Sequence, residues 1–425
     1  MKTLFIKNGR LIDSSANVDT KINLIVKNGI VAELTESKSA PDDADVIDAK
    51  GAIVSPGFVD LHCHLREPGE EYKEDIESGT RAAAAGGFTT ILCMANTNPV
   101  NDTAAVTDYI IKKAGECGIV NVLPVGAVTR GLKGENLSDI GDMAKAGVIA
   151  ISDDGKPIMN GALMRHAMEY ASSFNLSVIS HAEDLNLKGR GVMHEGNVST
   201  ELGLRGIPSV VEESMIARDI LLAGMTGAHL HIAHLSTAGG VEMVREAKKL
   251  HIKVTCEVTP HHLTLTDSAV YGYSSNTKVN PPLRTENDRK ELISALAEGT
   301  IDAIATDHAP HNIIEKELGF EDSSFGIIGL ETALPLALKL VHDNKITLQR
   351  MVDVFTSRSC GVFNIKRGSL KVGNVADIVI FNEKLPVVID SSKFKSKSRN
   401  TPFEGWRLLG KVLYTIVSGK IVYES

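Results

Sequence analysis

The chain has 425 residues, 43% hydrophobic and 23% charged, an ordinary balance for a globular protein. Lys and Arg number 45 against 53 Asp and Glu, a net charge of −8, so no positive excess is left to neutralise phosphates and nucleic acid is excluded as the main partner. No run of 18 apolar residues predicts a membrane span, and the opening MKTLFIKNGRLID carries too short an apolar stretch for a secretory signal. Five scattered cysteines (Cys63, Cys93, Cys117, Cys256, Cys360) fit the reduced thiols of a cytoplasmic protein.

The first 50 residues read as short strands. Leu4 and Ile6 alternate, and Asn-Gly turns recur at Lys7-Asn8-Gly9 and Lys27-Asn28-Gly29, each a strong hairpin signal. From 52 to 362 strand and helix alternate. Apolar strand candidates fall at 53–64, 89–94, 120–125, 148–153, 176–181, 230–235, 252–258 and 301–306. Helical patterns fill the gaps at 73–85, 102–115, 160–173, 209–223, 239–250 and 286–298, with Asp102 as a start signal and Gly86-Gly87 as a stop. This pattern predicts an α/β fold, a closed (β/α)₈ TIM-type barrel. An open doubly wound sheet is disfavoured, because no Gly-rich phosphate fingerprint follows the first strand. At the far end, 375–381 and TIVSGKIVYE read as strands again, and the charged, Ser-rich stretch 391–400 reads as a surface loop. The simplest arrangement joins 1–51 and 363–425 into one small β-sandwich domain, with the catalytic barrel, 52–362, inserted between them.

Polar residues gather where these strands end: His62 and His64, Asn96, Asp153-Asp154, His181, His234, and Asp307-His308. In a barrel those ends converge on one mouth, where active sites are built. His62-Cys63-His64 places two imidazoles on one strand face. Together with His181, His234, an aspartate of the 153–154 pair and Asp307, they suit zinc or a related first-row ion. Asp307 has two potential tasks, metal ligand and proton shuttle, since a metal lowers the pKa of water towards ~7 and a carboxylate beside that water can carry its proton to a leaving nitrogen. His229 and His231 share the other parity of their strand and read as core residues. His261-His262 read as mouth or turn residues. Arg66 would add a cation beside a cation unless an anion lay between, so it points to a carboxylate on the substrate. Asn96 and Asn280 offer the donors and acceptors an amide needs. The long polar segment HAPHNIIEKELGFEDSSFG reads as a mobile lid, from which His311 and Phe325-Gly326 could touch substrate.

Taken together, SPGFVDLHCHLREPG, MANTNP, ISDDGKP, SHAED, IAHLST, KVNPPLR, ATDHAPH and FGIIGLETA resemble the bacterial dihydroorotases of the amidohydrolase superfamily, over nearly the whole chain and in order. The resemblance implies a (β/α)₈ barrel with a terminal β-domain. It also implies zinc-dependent, reversible conversion of L-dihydroorotate and N-carbamoyl-L-aspartate in pyrimidine biosynthesis. Carried over, His62 and His64 would bind one zinc, His181 and His234 another, and Asp154 would bridge them. Asp307 would bind zinc and act as general acid/base. Arg66, Asn96 and His311, with His64 alongside, would grip the substrate's carboxylate, while Asn280 and the main chain at Phe325-Gly326 would hold its ring. A homodimer and an association with aspartate transcarbamoylase are implied by the resemblance alone. The rival readings are a related cyclic amidase (dihydropyrimidinase, hydantoinase or allantoinase) and a catalytically silent structural partner of aspartate transcarbamoylase.

Overall fold

Apolar runs too short for helices pair side by side through the middle of the chain. The computed structural model describes residues 3–425. Its central strands are β1 (Phe58–Cys63), β2 (Phe88–Cys93), β3 (Asn121–Gly126), β4 (Ala150–Ser152), β5 (Ser177–Ser180), β6 (Leu230–Ile232), β7 (Val254–Val258) and β8 (Ala303–Ile304). They lie parallel and in chain order. The ring closes just beyond β8, where His308 bridges Cys63 and the His308 carbonyl accepts the His64 N–H at 2.9 Å. Asp60 completes this seam by accepting from the Thr306 N–H (2.8 Å) and hydroxyl (2.6 Å). Every residue of β1, β2, β4, β5 and β6 is buried, as a parallel sheet covered on both faces requires.

Helices cover the outside at Ile76–Ala85, Ala104–Cys117, Gly161–Ser172, Val210–Thr226, Ala238–Lys249 and Glu286–Glu298, each within a few residues of its expected place. The first starts on a capping box, in which Asp75 accepts the Ser78 N–H (2.7 Å) and the Ser78 hydroxyl accepts the Asp75 N–H (3.2 Å). Asp102 does not cap the second. Thr103 holds that position, and the Asp102 carboxylate accepts the Gly131 N–H at 2.8 Å instead.

The two ends of the chain build two further sheets. In the six-stranded sheet the order is Lys420–Glu424, Arg407–Val417, Ile378–Val388, Ile53–Pro56, Arg10–Asp13, Val18–Lys21. The four-stranded one runs Ile30–Thr35, Asn23–Lys27, Thr3–Lys7, Ala44–Asp48. Leu4, Ile6, Leu11, Leu24, Val26, Val54, Ile378 and Ile416 form a buried cluster shared by both sheets. Two expectations need correcting here. Residues 53–64 are two strands, because Ile53–Pro56 pairs with Arg10–Asp13 and Ile378–Val388, and the chain enters β1 only after Gly57. The two Asn-Gly turns also differ. Asn28 and Gly29 both have positive φ (53° and 79°) and join an antiparallel hairpin, whereas only Asn8 does so in the first pair, and its flanking strands go to different sheets.

Gly57 lies where any side chain would collide, since a Cβ there would stand 2.2 Å from the Thr89 side chain. Gly57→Ala is expected to destabilise the protein by about 1–3 kcal/mol through overpacking. A denaturant midpoint equal to that of the parent chain would show that Thr89 has room to move aside.

Candidate active site

Because β1, β4, β5, β6 and β8 end on the same side of the barrel, residues up to 245 positions apart become neighbours. The Asp154 carboxylate is the hub. Its oxygens lie 3.5 Å from His62 Nε2, 3.5 Å from His64 Nε2, 3.4 Å from His181 Nδ1 and 3.4 Å from His234 Nε2. Asp307 Oδ1 lies 3.1 Å from His64 Nε2 and 3.6 Å from His62 Nε2. Asp153, its neighbour in sequence, faces elsewhere and accepts from the N–H groups of Val128 (2.8 Å) and Thr129 (3.0 Å).

Two triads, His62–His64–Asp154 and Asp154–His181–His234, each bring one ligand atom per residue within 4.8 Å of the others, and they share Asp154. His62 Nε2, Asp154 Oδ1 and His234 Nδ1 are buried without a hydrogen-bond partner. Orphaned buried polar atoms are costly. Imidazole nitrogens and carboxylate oxygens aimed at one another are what a divalent first-row ion satisfies. The donor set therefore fits a metal centre.

The surroundings orient these groups towards the centre of the cluster. His62 Nδ1–H donates to Glu257 Oε1 at 2.9 Å and His64 Nδ1–H to Asn96 Oδ1 at 2.8 Å, which turns both Nε2 atoms inward. Burial pushes the Asp154 carboxyl up, but the charge of His62 and the close approach of the His181, His234 and His62 rings outweigh it and hold the group well below the usual carboxylate range. At Asp307 burial is likewise overcome, by the hydrogen bond from His64 and the charges of His62 and His64, so this carboxylate is ionised. Burial opposes charge on His181, yet Asp154 and Glu183 raise it to about 9.

Above the ligand groups opens a cleft of about 260 Å³. Every residue expected at the site lines it except His62, which is fully buried beneath. Arg66 is buried, and among the described residues its guanidinium donates to the Pro310 carbonyl (3.1 Å) and His311 Nε2 (3.4 Å), with no carboxylate paired to it. Burial, then the Arg66 charge, press His311 down to about 3, so it is neutral and gives its Nδ1–H to Glu315 (3.0 Å). Asn280 Nδ2 lies 3.3 Å from His181 Nε2. The Phe325 ring sits between two ammonium groups, Lys188 at 4.9 Å and Lys278 at 4.5 Å from its centroid. Arg66, His234 and Asp307 have positive φ (61°, 34° and 45°), a conformation that non-glycine residues adopt rarely and that clusters at functional sites.

Some contributors were not visible in the sequence. Glu257, fully buried on β7, joins His62 to His231, whose Nε2–H donates to Glu257 Oε2 at 3.1 Å. Its signal is a lone acid inside the apolar run KVTCEV, since buried carboxylates are rare unless paired. Lys188 lines the cleft and pairs with Glu183 at 2.8 Å. The stretch 391–400 is not simply a surface loop: Ser396, Ser398 and Asn400 are buried, because they satisfy polar groups of the barrel mouth. His231 and His229 are held by Thr255 (2.8 and 2.9 Å), His231 reaching the ligand cluster only through Glu257. His262 is tied to Thr259 (2.7 Å) and the Pro281 carbonyl (3.0 Å).

An amidohydrolase-family profile matches residues 223–423, and a profile described as dihydro-orotase-like matches 51–239. Among solved structures, an L-hydantoinase (dihydropyrimidinase) from Arthrobacter aurescens superposes with a TM-score of 0.89 at 28% identity, covering 100% of this chain and 96% of that one. Fold and site are thus of the amidohydrolase class. Dihydroorotases from Geobacter metallireducens and Syntrophus aciditrophicus are 53% and 52% identical, each over 99% of both chains. The chain belongs to the dihydroorotase family.

Glu257→Gln keeps the shape of the side chain and removes its charge. It is expected to weaken metal retention about tenfold to a hundredfold, measured by chelator competition. Retention equal to that of the parent chain would show that His62 needs no anionic acceptor.

Proposed function

We propose that this chain hydrolyses L-dihydroorotate reversibly to N-carbamoyl-L-aspartate in pyrimidine biosynthesis, with zinc, two ions per chain. The observation that carries the reading is Arg66, a buried cation without a carboxylate partner, facing the same cleft as the ligand cluster. A substrate carboxylate supplies the missing charge by a bidentate contact. His311 and the free amide nitrogen of Asn96 lie beside it. Asn280 and the main chain of Phe325-Gly326 hold the ring, as the family resemblance implies.

His62, His64, Asp154, His181, His234 and Asp307 would hold the ions, which when bound supply Lewis acidity that polarises the ring carbonyl and acidifies water. Asp307, held ionised, takes the proton of the attacking water. As the carbonyl carbon bonds to the water oxygen, the ring C–N bond breaks and Asp307 delivers that proton to the departing nitrogen. In ring closure Asp307 takes the proton of the attacking nitrogen as the C–N bond forms and hands it to the departing hydroxyl, which leaves as water. Five cysteines in no disulfide suit a cytoplasmic location. A homodimer and an association with aspartate transcarbamoylase complete the proposal, supported by the resemblance alone.

Asp307→Asn is expected to lower turnover of dihydroorotate at least a hundredfold in a folded protein. Turnover near the parent value with metal still bound would refute the shuttle. Chelation should abolish activity and added zinc restore it, and activity that survives complete metal removal would overturn the metal assignment. The likeness to hydantoinases supports a second reading, in which the ring is uncharged. Arg66→Met separates the two: KM for dihydroorotate should rise about tenfold to a hundredfold, with little effect on slow hydrolysis of dihydrouracil or hydantoin. A parent enzyme that prefers those neutral rings would support the second reading.

A further inference from the structure

A strap from the terminal domain crosses the mouth of the barrel. After residue 394 buried and exposed side chains alternate: Ser396, Ser398 and Asn400 point in, Lys397 and Arg399 point out. Lys395 and Ser396 give their N–H groups to Glu331 (2.8 and 3.1 Å), Ser396 gives its hydroxyl to Glu74, and Ser398 gives its hydroxyl to the Lys73 carbonyl at 2.8 Å. The strap ends at Asn400, which is 4% exposed.

Asn400 spans the base of the segment that carries His311 and Phe325-Gly326. Its Nδ2 donates to the Ala309 carbonyl (2.9 Å) and to the Gly326 carbonyl (3.1 Å), the two ends of that segment. Its Oδ1 accepts the His311 N–H at 3.2 Å, and its own carbonyl accepts the Ile328 N–H at 3.0 Å. Pro310, between two of these anchors, is the residue whose carbonyl receives Arg66 Nε. Gly326 packs so closely that a Cβ there would meet the Ala309 carbonyl at 2.8 Å and His311 at 2.9 Å. One side chain thus fixes both ends of an 18-residue excursion, 309–326, and the main-chain atoms on which Arg66 and His311 are set.

We propose that Asn400, contributed by the terminal domain, is a positioning residue that holds the Arg66–His311 grip and the Phe325-Gly326 main chain in register over the ligand cluster. The inference rests on the substrate-binding role proposed above. Asn400 touches none of the six ligand residues, so its loss should reach substrate binding before it reaches the metal.

The test uses the full-length, zinc-loaded chain with Asn400→Ala and Asn400→Asp, the second keeping the acceptor for His311 N–H and removing the two donors. Both variants should raise KM for dihydroorotate roughly tenfold to a hundredfold, as misplaced positioning groups do, with kcat changed less than about threefold and metal content unchanged. Hydrogen exchange at the amides of 309–326 should quicken in both, while that of β1 to β8 stays as in the parent. The proposal is overturned if Asn400→Asp behaves as the parent, or if the loss falls on kcat and metal content together, as for a general structural defect. Should the parent chain fail to hydrolyse dihydroorotate, the substrate reading falls and exchange alone decides. Faster exchange confined to 309–326 then supports the positioning role, and unchanged exchange refutes it.

Discussion

Closure of the barrel between its first and eighth strands is the constraint on which the rest depends. His62 belongs to the first strand, His64 follows it directly and Asp307 follows the last, so in an open sheet they would lie at opposite edges. Main-chain pairing across this seam is thin. It consists of the Cys63–His308 bridge, the His64 N–H to the His308 carbonyl, and a side chain, Asp60, acting as a surrogate strand neighbour for Thr306. A buried carboxylate that accepts a backbone N–H and a hydroxyl is well satisfied, and it leaves the strand ends free to diverge into the loops that carry chemistry. Bringing the two edges together is what converts scattered polar residues into a cluster.

That cluster is an electrostatic problem before it is a catalyst. Four imidazoles and two carboxylates are packed, mostly buried, at the floor of the cleft, with three of their polar atoms unpaired. Left alone such an array is costly, and a divalent cation resolves it. The outer partners orient the rings accordingly: Glu257 behind His62, Asn96 behind His64, Glu183 near His181. Positive φ at His234 and Asp307 shows the backbone held in a strained form at the same spot. Strain of this kind persists where the surrounding structure over-determines it, and the enclosing barrel does so here.

The barrel was legible because parallel strands buried on both faces leave continuous apolar runs, and helix punctuation such as Gly86-Gly87 frames them. What such a run does not say is which sheet it joins, and so 53–64 read as one strand although its first four residues serve the terminal sandwich. The strand-end residues were legible for the same topological reason, since a barrel sends all of them to one mouth. Glu257 was missed because its role lies in a contact to His62 across 195 residues, with no local pattern to mark it. The strap was missed because Ser and Lys read as surface, while its buried serines are satisfied by Glu74 and Lys73, partners that composition does not reveal.

The sheet built from both ends of the chain has a consequence for how the chain is made. Ile53–Pro56 leaves the ribosome early, yet its antiparallel neighbour, Ile378–Val388, follows roughly 320 residues later. At ~5–20 residues per second that delay is on the order of tens of seconds. Throughout it, Ile53–Pro56 lacks its neighbour on one edge, and the amino-terminal cluster lacks Ile378, Ile380 and Ile416. The six-stranded sheet is therefore completed only near the end of synthesis, after every residue of the barrel has been made.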